Sequence, residues 1–493
     1  MPGDFRIEKD SLGEVRVPAG ALYGAQTQRA VENFKISGRP FPRRFLRALG
    51  LVKKAAALTS GDKGWLDPEV ASAIAAAAGE VERGDWDDHF PVDVFQTGSG
   101  TSTNMNANEV ISRLATRALG GNGPEVHPND HVNFGQSSND VIPTAIHVAG
   151  RLALEEQLIP ALGDFETVLR GKAKEFDGVL KSGRTHLMDA TPVRLGQEFG
   201  GYARQVALGV QRLTRASSEL AELALGGTAS GTGINSPPGF AESTIHRIST
   251  ETGLAFREAE DHFEAQAAKD AVVSASGALN TVAGSLTKIA DDIRWLSSGP
   301  TSGLYEITLP AVQPGSSIMP GKVNPVMAEA LMMVAVRVIG NHTAITVAGS
   351  RGNFELNVMM PVMAEAFLES IELLANAVRA FSDRCVIGIQ ANEKRSRELL
   401  ERNPAIATAL NTRLGYDGAT EVAKEAAREG VSVREVVIRR GLIPEEQLDE
   451  ALDVRGMTEG PVLLRGHAPP AASPGGNISR DRSPPGKTQG ETT

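Results

Sequence analysis

Cysteine is almost absent. Cys385 is the single thiol in 493 residues. No intrachain disulfide can form, and no iron–sulfur cluster can be held, since such clusters take several thiolates. A reducing compartment, the cytoplasm by default, is the expectation. Metal-ligand spacing is missing too. The nine histidines are scattered, and their one close pair, His127 and His131, falls in a Pro-Asn-Asp segment that does not read as helix. Neither metal nor cofactor is expected. Positive charge is in deficit, with 50 Lys+Arg against 60 Asp+Glu and a net charge of −10. No basic block offsets it, so no nucleic-acid partner is expected. No apolar run approaches the roughly 20 residues of a bilayer span, and residues 1–10 are unlike a signal peptide. No membrane partner is expected either.

What remains is a globular composition, 41% hydrophobic and 22% charged, at a length that calls for two to four domains. The strongest pattern lies in 267–296. Val272, Ala275, Leu279, Val282, Leu286, Ile289, Ile293 and Leu296 alternate spacings of three and four. That heptad belongs to long helices packed at a shallow angle. Met360, Ala364, Phe367, Ile371, Leu374, Val378 and Phe381 repeat it. Further helices are expected at 45–59, 144–158, 164–176, 195–225 and 326–347, and an extended piece at 14–18. The fold class is all-α, a bundle of long helices whose several apolar faces predict an oligomer. Ser432 and Glu435 form a capping box, with Gly430 and Gly441 as helix stops and Pro444 opening a last helix that ends near Ala451. From Thr458 onward the composition turns to Pro, Gly and Ser, which predicts a disordered tail.

Four segments carry candidate chemistry. In 315–325, Gly315-Ser316-Ser317-Ile318-Met319-Pro320-Gly321-Lys322-Val323-Asn324-Pro325, the glycines and prolines predict a loop. Its two hydroxyls, cation and amide suit a small anion, and Ser316 could pass a proton. A second segment is Thr97-Gly98-Ser99-Gly100-Thr101-Ser102-Thr103-Asn104, read as a turn before a helix at Glu109. It lacks the ending of a P-loop. The third is His127-Pro128-Asn129-Asp130, running on to Gln136-Ser137-Ser138-Asn139-Asp140, where a helix N-cap can double as a carboxylate site. The fourth is Gly183-Arg184-Thr185-His186-Leu187-Met188-Asp189. On residue type alone, the structural reading is the better one for the 315–325 loop and for His186.

Together these segments resemble the fumarase/aspartase superfamily, whose signature loop has the form GSSxMPxKxNP. The resemblance extends from Tyr23-Gly24-Ala25-Gln26-Thr27 to Ala409-Leu410-Asn411-Thr412. Within the superfamily the chain is most similar to class II fumarases. His186, Gly321 and Ser138 stand where aspartases typically carry Gln, Ala and Thr.

The resemblance implies a three-domain fold with a central long-helix bundle that assembles into a homotetramer. Its boundaries would be 1–136 for the N-terminal domain, 137–391 for the bundle and 392–457 for a small C-terminal domain, with 458–493 as tail. It implies metal-independent hydration of fumarate to L-malate through an aci-carboxylate. Ser316 would be the base, and His186 with Glu329 would handle the water. Ser99, Gly100, Thr101, Ser137, Ser138, Asn139, Thr185, Ser317, Lys322, Val323 and Asn324 would bind the dicarboxylate, in sites shared between subunits. His127, Pro128, Asn129 and Asp130 match an accessory dicarboxylate site. There Pro124 and Glu125 replace the basic residues that are frequent in the family, which predicts weak anion capture. Lys269 likewise stands where His is common. The alternatives are an aspartate ammonia-lyase of the same fold and a non-catalytic helical scaffold.

Overall fold

The computed structural model describes residues 4–120 and 123–459. The tail beyond Glu459 lies outside the described residues. Thr458 closes a short 3₁₀ turn, Gly456–Thr458. The helices in chain order are α1 Ala25–Asn33, α2 Arg43–Asp62, α3 Pro68–Arg83, α4 Thr101–Leu119, α5 Ser138–Ala153, α6 Ile159–Glu175, α7 Leu195–Glu219 and α8 Phe240–Thr252. They continue as α9 His262–Ala267, α10 Asp270–Leu296, α11 Val326–Gly349, α12 Met360–Arg384, α13 Glu393–Glu401, α14 Asn411–Glu429, α15 Val433–Arg440 and α16 Leu448–Ala451. The two longest antiparallel hairpins pack against helices: β1 Phe5–Asp10 with β2 Gly13–Pro18, and β3 Leu180–Thr185 with β4 Met188–Arg194.

The described residues form two compact units, one within 4–177 and 196–392, the other within 178–195 and 393–459. The first holds the long helices. All eight heptad positions expected on α10 are buried, and so are all seven on α12. At 1.5 Å per residue the 27 residues of α10 span about 40 Å. α11 lies against both α10 and α12, burying Leu331, Ala335, Val338 and Ile345. Phe165 of α6 meets Phe381 of α12 edge to face at 5.9 Å.

Several expectations need correction. The helix expected from 144 begins at Ser138, because Pro143 falls one turn in and withdraws only a single N–H from the ladder. The helix expected at Glu109 begins at Thr101, so Glu109 lies inside it. α7 stops at Glu219, and Glu222–Leu223 pairs as a short strand with Arg257–Glu258. His131 does sit in a helical segment, the short π-type turn Pro128–Val132. The extended piece at 14–18 is one strand of a full hairpin. Finally, α11 is long and apolar enough to cross a membrane by length and composition, with a mean hydropathy of 1.4. Nevertheless it carries Arg337 in a salt bridge with Glu369 of α12 at 2.8 Å, and Asn341 donating to Ser370 at 3.1 Å. Those polar contacts mark a bundle helix.

The second unit is built on Leu400, Ile406, Leu410, Val422, Val433, Val436 and Leu448. The Ser432–Glu435 capping box is present, and both predicted glycine stops, Gly430 and Gly441, adopt the left-handed conformation.

Candidate active site

The loop before α4 is held by its own hydroxyls. Thr97 Oγ1 accepts from Ser102 N–H at 3.0 Å, and Gln96 Oε1 accepts from Thr103 N–H at 2.9 Å. Ser99 and Thr101 share a hydrogen bond of 2.7 Å. Gly98 has no room for a side chain, since a Cβ there would lie 1.8 Å from Val358 O. Its own carbonyl accepts from Met360 N–H at 3.0 Å, fastening the loop to the start of α12.

The N-terminus of α5 is the second element. Ser137 caps it, its hydroxyl accepting from Asn139 N–H at 3.2 Å. Asp140 closes the capping box by accepting from Ser137 N–H at 2.9 Å. The other oxygen of Asp140 accepts from Gly226 N–H at 3.1 Å and Thr228 N–H at 2.9 Å. Burial pushes this carboxyl up, opposed by the three backbone N–H bonds and by Lys53. Ser138 Oγ accepts from Asn104 of α4 at 3.1 Å, and Asn139 Nδ2 donates to Ala229 O at 2.7 Å.

Two parts of this frame escaped the sequence reading. One is the turn around 226–235. Gly226, Thr228, Gly231, Gly233 and Asn235 all have positive φ, and its carbonyls and amides grip α5. The glycine and threonine density there was the available signal. The other is Lys53, fully buried in α2. It looked like one of two consecutive helix lysines and gave no local sign.

In the signature loop, Ser316 Oγ accepts from Ile318 N–H at 3.2 Å and Met319 N–H at 3.0 Å. The loop closes through Gly315 N–H to Lys322 O at 2.8 Å and Asn324 Nδ2 to Gly315 O at 2.7 Å. Ser317, Lys322 and Val323 are exposed, whereas Ser316, Asn324 and Glu329 are half-buried. Glu329 lies in the first turn of α11.

His186 and Leu187, at φ 57° and 59°, form the two-residue turn between β3 and β4 in the second unit. Such turns normally hold Asn or Gly. A histidine and a leucine held there carry the backbone strain that collects at functional sites. Thr185 and His186 stand exposed at this tip, beside Leu187 at 70% and Met188 at 69% exposure.

The accessory segment is a self-contained turn. His127 Nδ1 accepts from Asn129 N–H at 3.3 Å and Asp130 N–H at 3.1 Å. With Pro128 and Asn129 it lines a cavity of about 830 Å³. That cavity also carries Lys9, Arg113 and Arg117, but four carboxylates outnumber them: Glu8, Asp10, Glu109 and Glu125.

Residues 13–340 match the sequence profile of a family described as Lyase, and residues 406–459 one described as Fumarase C C-terminus. Over 461 residues the chain is 55% identical to a fumarate hydratase class II of Mycobacterium tuberculosis, covering 92% of this chain and 96% of the relative. A fumarate hydratase class II of Halobacterium salinarum is 57% identical over 465 residues, covering 94% and 99%. The crystal structure of a class II fumarase from Schistosoma mansoni matches with a TM-score of 0.90 at 38% identity, over 92% of this chain and 99% of that one. A strained histidine turn, a serine whose oxygen takes two backbone N–H groups and a near full-length likeness agree: the chain belongs to the class II fumarase family.

Proposed function

We propose that the chain catalyses the reversible hydration of fumarate to L-malate. It is a hydro-lyase, and its likeness to class II fumarases over nearly its whole length supports that. The observation that carries the chemistry is Ser316. A serine hydroxyl is a weak base unless its alkoxide is stabilised. Two backbone N–H groups aimed at Ser316 Oγ favour the deprotonated form.

In the dehydration direction, Ser316 takes the proton from the carbon beside one carboxylate of malate. The electron pair moves into that carboxylate as an aci-carboxylate. It then returns to form the double bond and expels the hydroxyl of the neighbouring carbon. His186, acting with Glu329, gives that hydroxyl a proton, and it leaves as water. The extra charge on the carboxylate needs fixed donors. Lys322 and Asn324, on the same loop as Ser316, supply them, while Ser99, Gly100, Thr101, Ser137, Ser138, Asn139, Thr185, Ser317 and Val323 complete the set that binds the dicarboxylate.

The reading includes a homotetramer whose sites draw on several copies. Met333, Val336, Ile339 and Val347 leave a wide apolar face of α11 uncovered in one copy, which supports it. Cytoplasmic residence belongs to the same reading and fits a lone, buried Cys385. The four carboxylates around His127 favour weak dicarboxylate capture at the accessory segment.

The test is ultraviolet absorbance of the fumarate double bond, with L-malate and L-aspartate offered separately and EDTA present or absent. Signal from malate alone, unchanged by EDTA, is the expected result. Signal from aspartate alone would make the chain an ammonia-lyase. No signal from either, in a stable oligomer, would favour a scaffold.

A further inference from the structure

Lys53 is a buried cation with no place in the chemistry above. It projects from α2, fully shielded from solvent. Its Nζ donates to Asn133 Oδ1 at 2.9 Å and to Gln136 Oε1 at 3.0 Å. Two further donors converge on the same Asn133 oxygen: Asn104 Nδ2 at 3.2 Å and Asn108 Nδ2 at 3.2 Å, both from α4. Asn133 Nδ2 then donates to Gln136 O at 3.1 Å. Gln136 Nε2 donates back to Val132 O and Phe134 O, each at 3.2 Å. The segment 132–136 is therefore a closed knot with an ammonium at its centre. Ser137, Ser138 and Asn139 follow it directly.

A lysine here is costly. Burial pushes its ammonium down to about 7, and Asp140 is the charge that opposes the shift. An apolar side chain of similar length would fill the space without that penalty, so packing alone does not explain a lysine. What the ammonium provides is simultaneous hold on two carbonyl oxygens, plus positive charge beneath the end of α5 that receives an anion. A chain of net charge −10 that binds a dianion needs such local focusing.

We propose that Lys53 is a positioning residue for the dicarboxylate-binding turn at 136–139. It acts through Asn133 and Gln136 and does not touch substrate. The proposal rests on the hydratase reading above. The turn contributes binding while proton transfer belongs to Ser316 and His186, so loss of Lys53 should weaken ground state and transition state alike. That pattern raises KM and leaves kcat nearly unchanged.

The experiment compares Lys53→Met, Gln136→Met and the double variant with the full-length protein. In each, KM and kcat for L-malate are measured, and the Kd for fumarate is taken by calorimetry. Gln136→Met keeps both Lys53 and Asp140, so it remains informative if Lys53→Met does not fold. The expected result is a KM raised about tenfold in each single variant with kcat within about threefold. The double variant should fall short of the sum of the singles, because the Lys53–Gln136 contact is lost in both. Unchanged KM in Gln136→Met, a fall confined to kcat, or additive effects would overturn the proposal. Wild-type protein without turnover sinks the hydratase reading instead. The fumarate Kd values then judge Lys53 alone, and equal values in wild type and variants overturn it.

Discussion

Single residues set the chemistry and the pH response. Ser316→Ala removes the oxygen on which two backbone N–H groups converge. Turnover should fall at least about a hundredfold, the lower range for losing a proton-transfer group, with little change in the calorimetric Kd for fumarate. Near-normal kcat would remove Ser316 from the role of base. His147 supplies the pH prediction. It sits on α5 with Nδ1 against Glu222 O at 2.7 Å. Burial, helped by Lys269, pushes its imidazole from 6.5 down to about 4, with Glu222 opposing. The folded protein keeps this ring neutral where the unfolded chain would protonate it. The unfolded state thus binds more protons between about pH 4 and 6.5, and stability is lost as pH falls through that window. In urea titrations at pH 6.5 and 4.5, His147→Gln should lose less stability than wild type on acidification. Equal losses would show that His147 titrates normally.

At the scale of elements, the joint between the 97–100 loop and α12 carries the sharpest steric demand. Gly98→Ala puts a methyl group against the Val358 carbonyl, which is backbone and cannot swing aside. The loop that presents Ser99 and Thr101 must shift. Overpacking of this kind costs about 1–3 kcal/mol, so a fall of several degrees in Tm is expected, with kcat/KM down at least about tenfold. A variant with wild-type Tm and kcat/KM would mean that the loop has slack. The long helices were legible because period is a local property. Every heptad position named on α10 and α12 is buried. Helix starts were less legible. Pro143 and Gly100 look like breaks, yet the first is tolerated one turn in and the second is itself a cap. The signature loop was readable as a loop, but the donors on Ser316 are its own backbone, which no side-chain pattern reports. The glycine-rich 226–235 stretch signals a turn, but neither it nor Lys53 shows in sequence what it holds. Their roles exist only once α2, α4 and α5 have packed together, and neighbours in sequence do not encode that.

At the scale of the whole molecule, the proposed oligomer predicts that apolar surface exposed in one copy is covered by others. α11 buries one stripe and leaves Met333 at 68% and Val336 at 69% exposure, on a helix with a mean hydropathy of 1.4. The His186 turn is flanked by exposed Leu187 and Met188, and the Ser316 loop by exposed Ile318, Met319 and Val323. Exposed apolar residues on α11 and beside the His186 and Ser316 loops are what shared sites would leave when a single copy stands alone. Val336→Glu tests this directly. A carboxylate at the middle of an apolar interface must be buried without a partner, at a cost that assembly rarely survives. Light scattering on the eluted protein should give a smaller mass than wild type, and malate turnover should fall by at least about tenfold. Thermal unfolding of the separated subunits should remain cooperative, because Val336 has no part in the internal core of the bundle. Wild-type mass and turnover would mean that this face of α11 is not where the copies meet. Loss of mass with full turnover would instead place a complete site within one chain.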